Sequence, residues 1–259
     1  MSSSATSLPI IVTERGCALV IAIDRQQAGN SVSLETAEAI GASLAAARGR
    51  PELRGVVITG AGDKFFCTGG DVKAYRTIAN AAELHLVFGV VRALLRAIED
   101  HPLPVLAAIN GYALGGGAEL ALACDLRFAA PHAEIGFPQA RLGIIPGWNG
   151  IERLVRLVGR PRATRLLLQA ARLPAAAALD AGLVDVVADA PLSAALAFLD
   201  SLDGAPLALR GIKQAIRTTD QPEPTATIER IFEKLWFTSD HREAEAAFVE
   251  KRKPVFKGH

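Results

Sequence analysis

Short apolar runs alternate with longer amphipathic stretches through the first two thirds of the chain. The apolar runs are bounded by glycine, proline or charged residues and favour buried strands at residues 17–23, 55–59, 105–109, 126–129 and 133–137. Ser33 is a candidate cap for a helix whose apolar face carries Ala37, Ile40, Leu44 and Ala45. A second helix, residues 82–98, has its apolar face at Leu84, Val87, Val91, Leu94 and Leu95. This alternation predicts an α/β protein with parallel strands joined by crossover helices.

The pattern becomes mostly helical in the last third of the chain. Helices are predicted at residues 149–157, 163–171, 174–180, 192–202, 205–217, 225–236 and 239–251, with a short strand at 183–187. After about residue 200 the pattern indicates helices alone. We therefore predict a core over residues 1–200 and a C-terminal helical subdomain over residues 201–259.

Three consecutive glycines, Gly115 to Gly117, lie between a predicted strand and a predicted helix. Without Cβ atoms, glycines let backbone N–H groups face a ligand, here at a helix start where amides lack partners. Such a junction stabilises an anion, and Glu119 in the first helical turn is a candidate acid or base. A tight turn followed by a helix-start charge would use the same residues.

A second glycine-rich stretch, residues 60–73, also follows a predicted strand and ends in glycines before a polar helix start. Two glycine-lined strand exits can supply two N–H donors to one oxygen, which is the arrangement of an oxyanion hole. The presence of both stretches favours a functional site over a simple turn.

These two stretches resemble the oxyanion segments of the crotonase (enoyl-CoA hydratase/isomerase) superfamily. The first match is Phe66-Cys67-Thr68-Gly69-Gly70-Asp71-Val72-Lys73, and the second runs from Gly111 to Leu120. The resemblance extends from about Leu19 to near the C-terminus. It implies a crotonase-type spiral of ββα turns with a C-terminal helical subdomain that builds trimers or hexamers. Apolar residues such as Ile231, Leu235 and Trp236 in that subdomain agree with self-association.

The resemblance also implies the roles of individual residues. The backbone N–H groups of Gly70 and Gly116 would hold a thioester oxygen, with Glu119 as acid/base and Gln139 at a further catalytic position. Phe248 would pack near the adenine of CoA, and Lys251 would reach a phosphate in the same or a neighbouring subunit. The residues implied to contact the acyl-CoA are Arg25, Ala28, Thr68, Gly69, Asp71, Val72, Gly115, Pro138, Gly147, Trp148, Phe248 and Lys251.

The sequence departs from the family pattern at three positions. Gln139 stands where hydratases of the family have a second glutamate, and an amide cannot take up a proton at neutral pH. Trp148 stands where a small residue is common, so it either shortens the acyl pocket or packs in the core. Gln26 follows Arg25 where proline is usual.

Enoyl-CoA hydratase is the nominal activity that the resemblance implies. Because Gln139 leaves Glu119 as the one matching carboxylate, a CoA-linked decarboxylase or an enoyl-CoA isomerase is the alternative. A non-catalytic acyl-CoA-binding or RNA-binding scaffold is a third hypothesis. The glycines and Glu119 weigh against pure scaffolding, and the absence of a basic stripe weighs against RNA.

The composition limits which classes of partner and which cellular compartment we expect for this protein. The net charge is +1 and the apolar runs are too short to span a bilayer, so we expect neither nucleic acid nor membrane as a partner. The start of the chain lacks the pattern of a signal peptide and predicts a frayed tail. Cys17, Cys67 and Cys124 are scattered, which is typical of free thiols in the cytoplasm. The five histidines form no ligand spacing, so we expect no metal and no cofactor apart from the CoA of the substrate.

Overall fold

The computed structural model describes residues 8–259, and for residues 73 and 74 their backbone only. The predicted N-terminal tail therefore lies outside the described residues. The strands are β1 (Ile10–Arg15), β2 (Ala18–Ile23), β3 (Gly55–Gly60), β4 (Phe65–Cys67), β5 (Val105–Ile109), β6 (Tyr112–Leu114), β7 (Leu126–Ala129), β8 (Glu134–Gly136), β9 (Arg172–Pro174) and β10 (Val186–Val187).

The helices follow the predicted pattern closely. They are α1 (Leu34–Ala47), α2 (Val72–Tyr75), α3 (Ala81–Glu99), α4 (Gly116–Ala123), α5 (Gly150–Val158), α6 (Arg160–Leu168), α7 (Ala175–Asp180), α8 (Pro191–Asp200), α9 (Pro206–Thr218), α10 (Pro224–Trp236) and α11 (Ser239–Glu250). Short 3-10 turns cover Gln26–Ala28 and Pro138–Leu142.

The ten strands of the described residues form two sheets. The larger sheet has the order β1-β2-β3-β5-β7-β10, and the smaller has the order β4-β6-β8-β9. Each pair β3/β4, β5/β6 and β7/β8 gives one strand to each sheet, and the neighbours β2-β3-β5-β7 run parallel. This is the spiral of ββα turns that the resemblance implies, so the predicted fold class is confirmed.

The buried strands form where continuous apolar runs were predicted. All six residues of β3 are buried, as expected for a parallel strand covered on both faces. Two strands are shorter than predicted. The strand predicted at 133–137 forms only over β8, and the strand predicted at 183–187 forms only over β10.

The pattern missed four strands. One of them, β4, lies inside the glycine-rich stretch at residues 60–73. The edge strand β1 pairs antiparallel with β2 and is exposed over most of its length, so it lacks an apolar run. β6 lies inside the glycine segment. β9 lies just beyond the end of a predicted helix, because Ala170 adopts a left-handed backbone (φ 46°) and ends α6 early.

The N-terminal cap of α1 and the buried faces of α1 and α3 largely agree with the prediction from sequence. Ser33 Oγ accepts the amide of Thr36 at 3.2 Å, as predicted for the start of α1. The apolar faces differ from the prediction at one position in each helix. Ala45 is exposed while Ala47 is buried, and Leu84 remains 41% exposed near the start of α3.

Helix α9 is attached to the core by a buried amine. Lys213 Nζ donates to the carbonyls of Ile98 (3.3 Å) and Leu103 (3.0 Å), and pairs with Asp125 Oδ2 at 2.6 Å. Burial lowers the pKa of Lys213 and raises the pKa of Asp125, although the pair attract each other. The described residues after Asp200 form α9, α10 and α11, and the domain division at residue 200 remains a prediction.

Large apolar side chains are exposed on the C-terminal helices of the single chain. Phe232 is 63% exposed, Phe237 70%, Phe248 85% and Val249 79%. A concentration of exposed aromatic residues on adjacent helices is typical of a protein–protein contact. Within residues 8–259, no helix combines the length and hydrophobicity needed to cross a membrane.

We expect the chain to assemble as a trimer or hexamer, because association would bury the exposed aromatics of α10 and the segment after it. Light scattering at micromolar concentration measures the assembly mass. Phe237→Asp should lower that mass, while Val12→Asp, at a 44% exposed position on β1, should leave it unchanged. A monodisperse monomer for the unmodified chain would contradict the prediction.

Candidate active site

The first glycine segment leaves β4 and forms a short bridge to the chain near Val32. The amide of Val32 donates to Gly69 O at 2.8 Å, and the amide of Asp71 donates to Val32 O at 3.2 Å. In such a parallel bridge, the N–H of the residue between the two bonds points to the other side. The N–H of Gly70 therefore faces away from Val32. Gly69 has a positive φ of 107°, a conformation that favours glycine.

The second segment leaves β6 and enters α4. Gly115 has φ 58° and precedes Gly116, the first helical residue, whose amide has no partner within the helix. A Cβ at Gly69 would lie 3.1 Å from the amide nitrogen of Gly116. A Cβ at Gly117 would overlap the carbonyl of Cys67. The two segments thus meet backbone to backbone, with glycine required at Gly117 by the close contact and favoured at Gly69 by its positive φ.

Glu119 lies in the first turn of α4 and is buried, with 1% of its surface exposed. Its Oε2 accepts the amides of Trp148 and Gly150, both at 2.8 Å. Burial raises the pKa of Glu119 above its usual range, and the backbone donors partly oppose that rise. A carboxylate with a raised pKa is a stronger base than an exposed one, which suits a group that takes up and returns a proton.

Gln139 is brought next to Glu119 by the 3-10 turn that begins at Pro138. Its Nε2 donates to Glu119 Oε1 at 3.2 Å, and its side chain is buried. Its Oε1 is buried with no hydrogen-bond partner among the described residues. The predicted pocket position of Gln139 thus agrees with its contact to Glu119.

Three aromatic rings lie against glycines of the candidate site. The indole of Trp148, 3% exposed, lies where a Cβ on Gly116 would be. The ring of Tyr75 lies in the same way against Gly70, and that of Phe88 lies against Gly147. Trp148 therefore packs in the core beside Gly116, and its effect on the acyl pocket stays a prediction. The sequence analysis missed Tyr75 and Phe88, although Tyr75 follows Gly70 by little more than one helical turn.

Arg153 supports the loop that binds Glu119. Its Nη1 donates to Trp148 O at 2.6 Å and its Nη2 pairs with Glu99 Oε2 at 2.7 Å, with 6% of the residue exposed. This residue was also missed. The sequence offers one hint of its role, because Arg153 is the charged residue on the buried face of α5.

The loop at residues 25–31 packs against the first glycine segment. Arg25 Nη2 pairs with Asp71 Oδ2 at 2.7 Å, and its Nη1 donates to Ser31 O at 2.7 Å. Thr68 donates through its amide and its hydroxyl to Gly29 O, both at 3.1 Å. Asn30 Nδ2 donates to Phe65 O at 2.7 Å, so this loop is fixed without a proline at Gln26.

The other residues predicted to contact the acyl-CoA lie in two separate places. Ala28 lies in the 3-10 turn of that loop, and Val72 begins α2 with 65% exposure, so both border the first glycine segment. Phe248 and Lys251 lie instead at the end of α11, where both are exposed. The structure does not bring them to the glycines within the contacts of one chain.

Cys67 is a free thiol, as predicted, and it is buried. Burial raises its pKa to about 12, which leaves it protonated and unreactive. Within the described part of the chain, no group of three or more histidine, cysteine or acidic side chains is arranged to hold a metal ion.

Comparison with known proteins adds an independent line of argument. The family model described as enoyl-CoA hydratase/isomerase matches residues 13–259. An enoyl-CoA isomerase/hydratase of Mycosarcoma maydis is 38% identical over 254 residues, covering 92% of each chain. A short-chain-enoyl-CoA hydratase of Clostridium acetobutylicum is 34% identical over 251 residues, covering 94% of this chain and 95% of the relative. The crystal structure of enoyl-CoA hydratase from Bacillus anthracis superposes with a TM-score of 0.91 at 34% identity, covering 97% of this chain and 100% of that one.

The raised pKa of Glu119 predicts a pH-dependent stability. A carboxyl with a raised folded-state pKa favours folding below its unfolded pKa of 4.5 and loses that contribution as pH rises through the folded value. Glu119→Gln removes this dependence. We expect the unfolding free energy of the variant, relative to wild type, to increase from about pH 4 to about pH 8.

Urea unfolding at one protein concentration measures this difference. Glu14→Gln is the matched control, because Arg50 lowers the pKa of the exposed Glu14, and its small effect should have the opposite sign. A relative stability of Glu119→Gln that falls with pH would contradict the prediction.

Proposed function

Because the chain belongs to the enoyl-CoA hydratase/isomerase family, we propose that its two glycine segments and Glu119 form the catalytic site for an acyl-CoA thioester. The family match makes the protein an acyl-CoA-processing enzyme of the crotonase type. Enzymes of this type use CoA thioesters as substrates, generally without a further cofactor. The roles of individual residues below are our proposal.

The amides of Gly70 and Gly116 hold the thioester oxygen. The support is the backbone contact between the two segments, with the Gly70 amide turned away from Val32 and the Gly116 amide at a helix start. When electrons move onto the thioester, the negative charge settles on this oxygen. Two preorganised donors stabilise that charge more than they stabilise the neutral carbonyl, which lowers the barrier.

Glu119 is the acid/base, and hydration is the nominal reaction. A water oxygen bonds to Cβ of the enoyl group while its proton passes to Glu119, and the double-bond electrons move to the thioester oxygen. The enolate then collapses by taking a proton at Cα. Glu119 can return the same proton, so the net change is addition of one water with the enzyme unchanged.

The observation that carries this assignment is the environment of Glu119. Its two oxygens accept three hydrogen bonds from Trp148, Gly150 and Gln139, while burial raises its pKa. The backbone donors stabilise the ionised form, and the burial makes the carboxylate more basic than an exposed one. Gln139 orients this carboxylate or a bound water, and it cannot act as a second acid.

The acyl group is short or compact in this proposal. The rings of Tyr75, Phe88 and Trp148 occupy the space beside Gly70, Gly147 and Gly116. A long unbranched chain leaving the thioester would have to displace one of them.

Decarboxylation or double-bond isomerisation is the second candidate, and Gln139 favours it. Loss of CO2 needs enolate stabilisation but no activated water, and isomerisation needs a single base. Glu119 suffices for either reaction, so the replacement of a carboxylate by an amide has no cost in those reactions.

The CoA portion is proposed to lie along the surface formed by Arg25, Ala28, Thr68, Asp71 and Val72. The hydrogen bonds that join the loop at 25–31 to Thr68 and Asp71 support a single preformed wall. Phe248 and Lys251 are proposed to contact the adenine and phosphates of CoA bound to a neighbouring subunit, because both are exposed at the end of α11.

Replacing Gln139 separates the candidate reactions. We expect weak hydration of crotonyl-CoA by the unmodified enzyme, and at least a tenfold gain for Gln139→Glu, because a general acid or base contributes ~10²–10⁴-fold. The assay follows hydration by both proteins together with loss of CO2 from methylmalonyl-CoA. Strong hydration that the substitution leaves unchanged or lowers would show that Glu119 works without a second carboxylate. Efficient decarboxylation with negligible hydration would select the second candidate.

Removing the Gly116 amide tests the oxyanion hole. A proline at Gly116 would overlap the indole of Trp148, so the substitution is made in a Trp148→Ala background, with Trp148→Ala alone as the control. Proline is tolerated at a first helical position, where its missing N–H has no partner to lose. We expect the double variant to lose ~10²–10³ in turnover of any CoA substrate relative to that control. Turnover equal to that of Trp148→Ala in a folded double variant would refute the assignment.

A further inference from the structure

The hydroxyl of Tyr75 is a buried polar atom in the candidate active site that no catalytic role above uses. A Cβ placed on Gly70 would overlap Tyr75 Oη, so this oxygen lies directly against the backbone whose amide is proposed to hold the thioester oxygen. By distance and angle Oη has no hydrogen-bond partner among the described residues, although the indole of Trp148 lies close enough to lower its pKa. An indole N–H can only donate, so the O–H of Tyr75 is left without an acceptor. Burying a hydroxyl whose O–H has no acceptor is unfavourable, so a function for it is expected.

The ring of Tyr75 is held on several sides. It packs against Phe88 with the ring centroids 5.0 Å apart and an interplanar angle of 37°. Phe88 in turn lies against Gly147, next to the loop that donates to Glu119. The Tyr75 hydroxyl is therefore aimed by packing within the site and does not project into solvent.

The chemistry of the hydroxyl suits a donor to an anion. Burial raises the pKa of Tyr75 to about 12, the negative charges of Asp71 and Glu119 act in the same direction, and the nearby Trp148 opposes them. The phenol is therefore protonated throughout the neutral range. A neutral O–H donor binds an oxygen more strongly as that oxygen gains negative charge.

We propose that Tyr75 Oη donates a hydrogen bond to the thioester oxygen as the enolate forms, as a third donor beside the amides of Gly70 and Gly116. The inference deepens the proposed function and rests on it. The hydroxyl contributes to the transition state and to any bound enolate, and contributes little to binding of the neutral thioester. No proton is transferred from the phenol, because the interaction is a hydrogen bond alone.

The substitution Tyr75→Phe removes the hydroxyl and keeps the ring that packs on Phe88. The matched control is Tyr112→Phe, which removes the hydroxyl of the other tyrosine in the chain. Tyr112 lies in β6 and packs against Phe65, with ring centroids 6.0 Å apart. It has no proposed part in catalysis.

The first measurement needs no turnover. Acetoacetyl-CoA is a β-ketoacyl thioester whose enolate absorbs light differently from its keto form, so the bound enolate can be titrated by absorbance. We expect Tyr75→Phe to raise the pH midpoint of enolate formation in the bound state by about one to two units, since a hydrogen bond to a charged group contributes ~10–100-fold. Tyr112→Phe should leave that midpoint unchanged.

The second measurement is turnover of whichever CoA substrate proves active. We expect Tyr75→Phe to lower kcat by ~10–100-fold with little change in KM, because the donor acts mainly on the charged state. Tyr75→Leu, which retains an apolar side chain without the ring, should lower kcat at least as much.

The outcomes separate this inference from the proposed function. If wild-type protein binds acetoacetyl-CoA and Tyr75→Phe leaves both the enolate midpoint and kcat unchanged, the role of Tyr75 is overturned and the proposed function stands. If Tyr75→Phe or Tyr75→Leu raises kcat or tightens binding, the side chain of Tyr75 occupies space that the substrate needs, and the inference fails. If wild-type protein binds neither acetoacetyl-CoA nor crotonyl-CoA, the proposed function fails and the role of Tyr75 fails with it.

Discussion

The direct backbone contact between the exit of β4 and the start of α4 is the constraint on which the candidate site depends. Gly117 approaches the carbonyl of Cys67 too closely for a Cβ. A Cβ on Gly69 would lie 3.1 Å from the amide nitrogen of Gly116, which is a tight contact, and the φ of 107° disfavours any side chain there. Because the two sheets of the spiral each receive one strand from every ββα turn, these strand exits are brought to the same place. A Cβ on Gly117 would push apart the two segments whose amides are proposed to bind one oxygen.

The fold also has to stabilise a carboxylate that is buried. Glu119 is removed from water, which is unfavourable for its ionised form, and the loop after Gly147 supplies two backbone donors in compensation. That loop is held by Arg153, whose own charge is balanced by Glu99. Catalytic position and structural support therefore share the same few hydrogen bonds.

The sequence was sufficient for the features with strong local signals. Continuous apolar runs predicted the buried strands, helical spacing predicted most helices, and the glycines predicted the segments that meet around Gly70 and Gly116. Features that depend on tertiary contacts were missed. The edge strand β1 has no apolar run, β9 forms only because β8 lies beside it, and the positions of Tyr75 and Arg153 follow from packing between elements distant in sequence.

The carboxylate of Glu99 has two sets of partners. Arg153 approaches one oxygen from the loop that binds Glu119, and Arg217 of α9 approaches the other at 3.4 Å. If the order of the loop and the docking of α9 are coupled through Glu99, that coupling is reciprocal: a ligand that orders the loop favours docked α9 to the same extent that docked α9 favours the ligand. A neighbouring molecule that immobilises α9 would thus remove part of the entropy cost of ordering the loop. Affinity at the glycines would then depend on contacts made far from them, on the outer face of the C-terminal helices.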